Sequence, residues 1–218
     1  MLTRELISNS IPYLHSDDKV YHALQLMNDY HIAHLPVVEN DSYLGIISEE
    51  QLLQSDDENT INQLQVTDGT TSVQASDHFL KAIQTAVTNK LSIVPVVEER
   101  QLLGIVTYND LLKNASEFMS LNNPGALIVL DMESKNYSFT EINRIVESND
   151  AQITQLNTFT DPESGMVQVT IRLNKLEVSD IISSFQRYEY NVKYYFGEEL
   201  YENELRTNYD NLMNYLKI

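Results

Sequence analysis

No cysteine occurs among the 218 residues, which removes disulfides, thiolate catalysis and zinc–thiolate sites together. Apolar runs are short, none approaching the roughly 20 residues that cross a bilayer. The opening MLTRELISNS lacks the pattern of a secretory signal, so a cytoplasmic protein is expected. Cations are scarce: 14 Lys and Arg stand against 32 Asp and Glu, a formal charge of −18, and no basic cluster occurs. Phosphate contacts drive nucleic-acid and anionic-lipid binding, so neither nucleic acid nor membrane is an expected partner. There is no G-x-S-x-G elbow, P-loop or dinucleotide fingerprint. The five histidines (His15, His22, His31, His34 and His78) have no acid at a convincing ligand spacing. Catalytic and metal residues are therefore both expected to be absent, and the chain reads as a non-enzyme.

What is present is a repeat. HLPVVENDSYLGIISEEQLLQ at 34–54 returns as IVPVVEERQLLGIVTYNDLLK at 93–113. Pro36 maps to Pro95, Gly45 to Gly104 and Leu52 to Leu111, each 59 positions on, and the register holds upstream from Asp18 to Asp77 and from Ala23 to Ala82.

Each copy divides into elements. Val20, Ala23, Leu24 and Met27 recur at helical spacing, as do Phe79, Ala82, Ile83 and Ala86. Asp17 or Asp18, and Ser76 or Asp77, are the candidate N-caps. The runs Pro36–Val38 and Leu44–Ile47, with their counterparts Pro95–Val97 and Leu103–Val106, pair as hairpins across polar turns. Ser48 or Thr107 then caps a short closing helix. One sheet face in each unit is left uncovered, which two copies packed by pseudo-twofold symmetry would supply.

These residues resemble the CBS-domain family. Gly104-Ile105-Val106-Thr107-Tyr108-Asn109-Asp110 is similar to its signature of glycine, two aliphatics, Ser or Thr, two variable positions and Asp. The first copy matches through Gly45-Ile46-Ile47-Ser48 and departs at Gln51, where the family has Asp. The resemblance covers residues 1 to about 118. It implies two repeats, at 1–59 and 60–118, and an adenosyl ligand (AMP, ATP or S-adenosylmethionine) held between them, with no obligatory cofactor. It implies Asp110 on the ribose diol, Thr107 on the adjacent polar group, and Leu91, Ser92, Ile93 and Ile105 around the base. Ser48 and His34 are the first-copy candidates, His34 standing where the second copy has Ile93 and offering a cation for phosphate. The competing reading is local: Thr107 only caps a helix and Asp110 is a solvated first-turn acid.

After Phe118, Asn122-Asn123-Pro124-Gly125 punctuates the chain. Alternating and helical patterns then follow in the order βαββαβ, with a turn at Asp161–Gly165, which suggests a ferredoxin-like domain over 124–197. With Pro124-Gly125 opening its first strand, this segment resembles an ACT domain, a family that binds amino acids and dimerises. The usual glycine of the first strand-to-helix turn is missing from Asp131–Asn136, which favours a dimerisation unit over an amino-acid site. Leu205, Tyr209, Leu212 and Leu216 mark an amphipathic C-terminal helix in 198–218.

The expected fold is therefore α+β: a tandem CBS pair (Bateman module), an ACT-like domain and a C-terminal helix. That domain order resembles the bacterial acetoin-utilisation regulatory proteins. It implies a homodimeric, metabolite-responsive regulator acting on a protein the sequence does not name. The alternative is a ligand-free dimerisation or protein-interaction module with vestigial nucleotide clefts.

Overall fold

The computed structural model describes residues 1–8, 10–68 and 71–197. The C-terminal helix expected in 198–218 lies outside the described residues. Two compact units divide the chain, at 1–115 and from 116 onward.

In the first unit each repeat contributes a long helix, a hairpin and a closing helix. Repeat one holds β1 (Leu14–His15), α1 (Val20–Tyr30), β2 (His34–Glu39), β3 (Ser42–Ser48), α2 (Glu49–Leu53) and β4 (Thr67–Asp68). Repeat two holds α3 (Phe79–Asn89), β5 (Ile93–Glu98), β6 (Gln101–Thr107) and α4 (Tyr108–Phe118). The hairpins agree in detail: both shift register between the two valines of Pro-Val-Val, at Val37/Val38 and Val96/Val97. Both turn through two residues of positive φ, Asn40-Asp41 and Glu99-Arg100. That turn suits the right-handed strand twist, and Asn and Asp enter it at lower cost than Glu and Arg.

The expected N-caps are corrected. Lys19 and His78 occupy the cap positions of α1 and α3. Asp18 and Asp77 instead accept the backbone N–H of His15 (2.7 Å) and of Gln74 (2.8 Å), three residues upstream, and so tie the turns that lead into the helices.

Packing closes the repeats differently from chain order. β4 pairs with β3, and Lys19 bridges to Thr60, so 60–68 completes repeat one. The matching contacts of repeat two come from the chain's start: Leu2 bridges to His78 and Ser8 to Ile105. Leu6 accordingly joins Val73, Phe79, Val94, Val96 and Leu111 in the second repeat's core. Leu14, Val20, Met27, Leu35, Ile47, Leu52 and Ile61 fill the first.

The second unit contains β7 (Leu127–Glu133), α5 (Phe139–Glu147), β8 (Ile153–Thr160), β9 (Met166–Leu173), α6 (Ser179–Arg187) and β10 (Asn191–Phe196). Its sheet runs β10-β7-β9-β8, with every neighbouring pair antiparallel. This is the ferredoxin-like order. Alternation along β9 sends Val167, Val169, Ile171 and Leu173 inward against Ile142, Ile145, Ile181 and Phe185 of the helices.

Candidate functional site

The closing helices begin where β3 and β6 deliver a hydroxyl to an N-cap. Ser48 Oγ accepts the N–H of Gln51, while Gln51 Oε1 accepts both the N–H (2.9 Å) and the hydroxyl (3.0 Å) of Ser48. The Gln51 side-chain amide donates in turn to the Gln65 carbonyl at 2.9 Å. In repeat two, Thr107 Oγ1 accepts the N–H of Asp110 at 3.0 Å, and Asp110 Oδ2 accepts the Thr107 hydroxyl. Each is a reciprocal capping pair, and the two correspond at the 59-residue offset. The local reading of Thr107 thus holds geometrically; Asp110 is half-buried against it, not solvated.

His34 departs from the charge expected of it. It opens β2 opposite Ser48, and its Nδ1 accepts the backbone N–H of Ser92 at 3.2 Å. The Ser92 hydroxyl lies 3.1 Å from the same nitrogen and accepts the Ala33 N–H at 3.0 Å. An acceptor Nδ1 carries no proton, so this network assigns the ring proton to Nε2. Burial also lowers the His34 pKa below the ordinary histidine value of 6.5. The accepted bond and the burial both favour the uncharged ring over the cation expected here for phosphate.

A cavity of about 230 Å³ opens beside these groups. His34, Ser48, Gln51 and Thr67 line it from repeat one, with Ile46 as the apolar wall. Asn89 and Leu91 face them from the end of α3, and Thr71 from the segment that enters repeat two. The sequence candidates His34, Ser48 and Leu91 are therefore brought together, with Ser92 behind His34. Leu91 lines this first-repeat cleft. Ile93 and Ile105 are 0% and 1% exposed and pack with Ile46 and Leu91 in the core between the repeats. They support that wall from behind. Thr107 and Asp110 stay paired at the start of α4, with Ile93 opposite Thr107 across the hairpin.

Thr67, Thr71 and Asn89 were not legible as site residues. They are distant in sequence from the signature, and only the packing of the two repeats delivers them. Tyr43 is buried; burial pushes its phenol up to about 12, against the opposing effect of the nearby Thr71 side chain.

A second cavity, of about 470 Å³, lies in the other unit where β7 turns into α5. The turn that lacks glycine forms a single 3-10 turn, Ser134–Asn136. Asp131, Glu141 and Glu189 line the cavity with Lys135, whose ammonium is held 2.6 Å from Glu133. Tyr190 donates its hydroxyl to Glu141 at 2.9 Å. Among the described residues no three His, Cys, Asp or Glu are grouped to hold a metal ion, and no helix is long and apolar enough to cross a membrane.

Comparison with known proteins places these observations. Residues 4–58 and 63–117 each match the profile of the CBS domain. Inosine-5'-monophosphate dehydrogenase of Methanocaldococcus jannaschii is 28% identical over 111 residues, 50% of this chain but 22% of the dehydrogenase. The chain thus spans about a fifth of that relative's length. A CBS domain pair/ACT domain protein from Thermotoga maritima superimposes with a TM-score of 0.51 at 22% identity, over 55% of this chain and 99% of that one. A putative acetoin utilization protein from Vibrio cholerae gives 0.49 at 23% identity, over 56% of this chain and 95% of that one. With two matched copies covering half its length, the chain belongs to the CBS-domain family.

Proposed function

We propose that this chain is a non-enzymatic, metabolite-responsive regulator in the cytoplasm whose CBS pair binds an adenosyl ligand of the AMP, ATP or S-adenosylmethionine class between its repeats. The observation that carries this reading is the cleft itself. Both repeats contribute walls to one cavity, so a ligand there touches two bodies whose spacing it can bias. Its lining offers hydroxyl, amide and imidazole groups beside the apolar Ile46 and Leu91, the mixture a purine and ribose need. A homodimer and a regulated protein partner belong to the same proposal, as does the ACT-like unit as the dimerising element.

One observation favours the second reading, a module without ligand. The Ser48–Gln51 and Thr107–Asp110 pairs satisfy each other, as pure capping devices would. Thermal unfolding of the full chain with adenosine, AMP, ATP and S-adenosylmethionine separates the two. Ligand that binds only the folded state raises stability by about 2.7 kcal/mol at a hundredfold excess over Kd. A rise that disappears in Thr67→Trp, which fills the mouth of the cleft, supports the regulator. A rise lost only in Asp110→Ala moves the site to repeat two, and no rise with any ligand at millimolar concentration leaves the interaction module.

A further inference from the structure

The charge around the first-repeat cleft narrows the ligand class, an argument that rests on the adenosyl reading above. A nucleotide brings one to four negative charges on its phosphates, and sites for them are built from Arg, Lys, free helix N-termini or protonated His. None of these is present among the described residues of the cleft. No Lys or Arg is among the residues lining the cavity. The one titratable base there, His34, has its Nδ1 occupied by the Ser92 N–H and presents an uncharged ring. The nearest helix start is equally unsuited. α2 has five residues, its cap hydroxyl is held by Gln51, and the N–H of Glu49 is given to the Ala33 carbonyl at 2.9 Å. Its first turn also carries two exposed carboxylates, Glu49 and Glu50. Next to the lining residues in sequence, these two carboxylates outnumber one exposed cation, Lys90 between Asn89 and Leu91, on a chain whose formal charge is −18.

We infer that this cleft takes an adenosyl group whose 5′ carbon bears no phosphate, a neutral nucleoside or a sulfonium nucleoside, and excludes AMP and ATP. The sulfonium and amino groups of S-adenosylmethionine add positive charge, which Glu49 and Glu50 attract. Such a protein would report on the supply of nucleosides or of methyl donor, and would be insensitive to adenylate energy charge.

The test is calorimetric titration of the full chain at low ionic strength with adenosine, 5′-methylthioadenosine, S-adenosylmethionine, AMP and ATP. The expected result is at least tenfold tighter binding of one of the phosphate-free compounds than of AMP or ATP. AMP or ATP binding equally well or better overturns the inference while leaving the adenosyl reading intact. Absence of binding by all five overturns the adenosyl reading itself. Glu49→Gln with Glu50→Gln, both on the surface, should narrow the gap between adenosine and AMP several-fold. An unchanged gap in that variant overturns the electrostatic cause.

Discussion

The Nδ1 of His34 accepts the backbone N–H of Ser92, 58 residues away, at 3.2 Å. Ala33 and Ser92 occupy the same position in the two repeats, so this hydrogen bond and the one from Ala33 N–H to Ser92 Oγ join the copies at equivalent points. The contact has no symmetric twin, because Ile93 replaces the imidazole in repeat two. The asymmetry of the pair therefore begins at one side chain.

Stability should depend on that ring. The folded pKa of His34 lies below 6.5, so as pH falls through 6.5 the unfolded chain takes a proton that the folded chain refuses. Unfolding then becomes easier with falling pH, down to the folded pKa, below which the effect is constant. In the His34→Asn variant an amide oxygen comes near the Nδ1 position and does not titrate. Urea unfolding of the parent and of that variant between pH 5 and 8 should show the parent losing stability relative to the variant below pH 6.5. Parallel curves for the two proteins would refute the assignment.

Gly45 should not tolerate alanine. A Cβ there would stand 2.0 Å from the Thr67 carbonyl oxygen, in the backbone that pairs with it as β4. Gly45→Ala should cost about 1–3 kcal/mol by overpacking and push Thr67 off the cleft, lowering ligand affinity as well. Denaturant unfolding and ligand titration read the two effects separately.

The capping pairs make a plainer claim. Thr107→Ala and Ser48→Ala should each destabilise by about 1 kcal/mol, with or without ligand, because each removes a helix-cap acceptor. Thr107→Ser should recover most of the loss in chemical denaturation.

Alkaline titration should single out two of the thirteen tyrosines. Tyr43 and Tyr190 are both pushed up to about 12, chiefly by burial, and Tyr190 further by its bond to Glu141. Their folded pKa values exceed the ordinary 10, so their contribution to stability is complete below pH 10 and is lost as pH rises toward 12. Ultraviolet titration should show Tyr43 and Tyr190 ionising well above pH 10, together with unfolding. Tyr190→Phe should remove part of that alkaline sensitivity.

In the C-terminal unit, Phe185 is fully buried between α6 and the sheet. Phe185→Ala should cost that unit about 3–5 kcal/mol. Hydrogen exchange should report the loss in β7 and β9.

The hairpins and helices of both repeats were legible because side-chain period is a local property. Val20, Ala23 and Met27 mark one face whatever they pack against, and β5 and β6 follow from Pro95–Val97 and Leu103–Val106. The polar turn at Asn40-Asp41 was equally plain, whereas Glu99-Arg100 adopts the same φ values without a turn-forming residue, held there by the paired strands. The site was legible in part. The family resemblance singled out Ser48, Thr107 and Asp110, but not the residues that face Ser48 across the cleft.

Sequence alone determined the repeat, its 59-residue register, the CBS signature and the βαββαβ order, since each is written in residue type and spacing along the chain. Tertiary structure decided three things that spacing does not encode. It brought residues 1–8 to complete the second repeat, as 60–68 complete the first. It placed His34 where its neutral form is favoured, because the charge of an imidazole depends on burial and on which hydrogen bonds its nitrogens make. It also set Asn89 and Leu91 across from Ser48 and Gln51. A cleft between two copies is a relation between surfaces, fixed only when Ile46, Leu91, Ile93 and Ile105 leave water together.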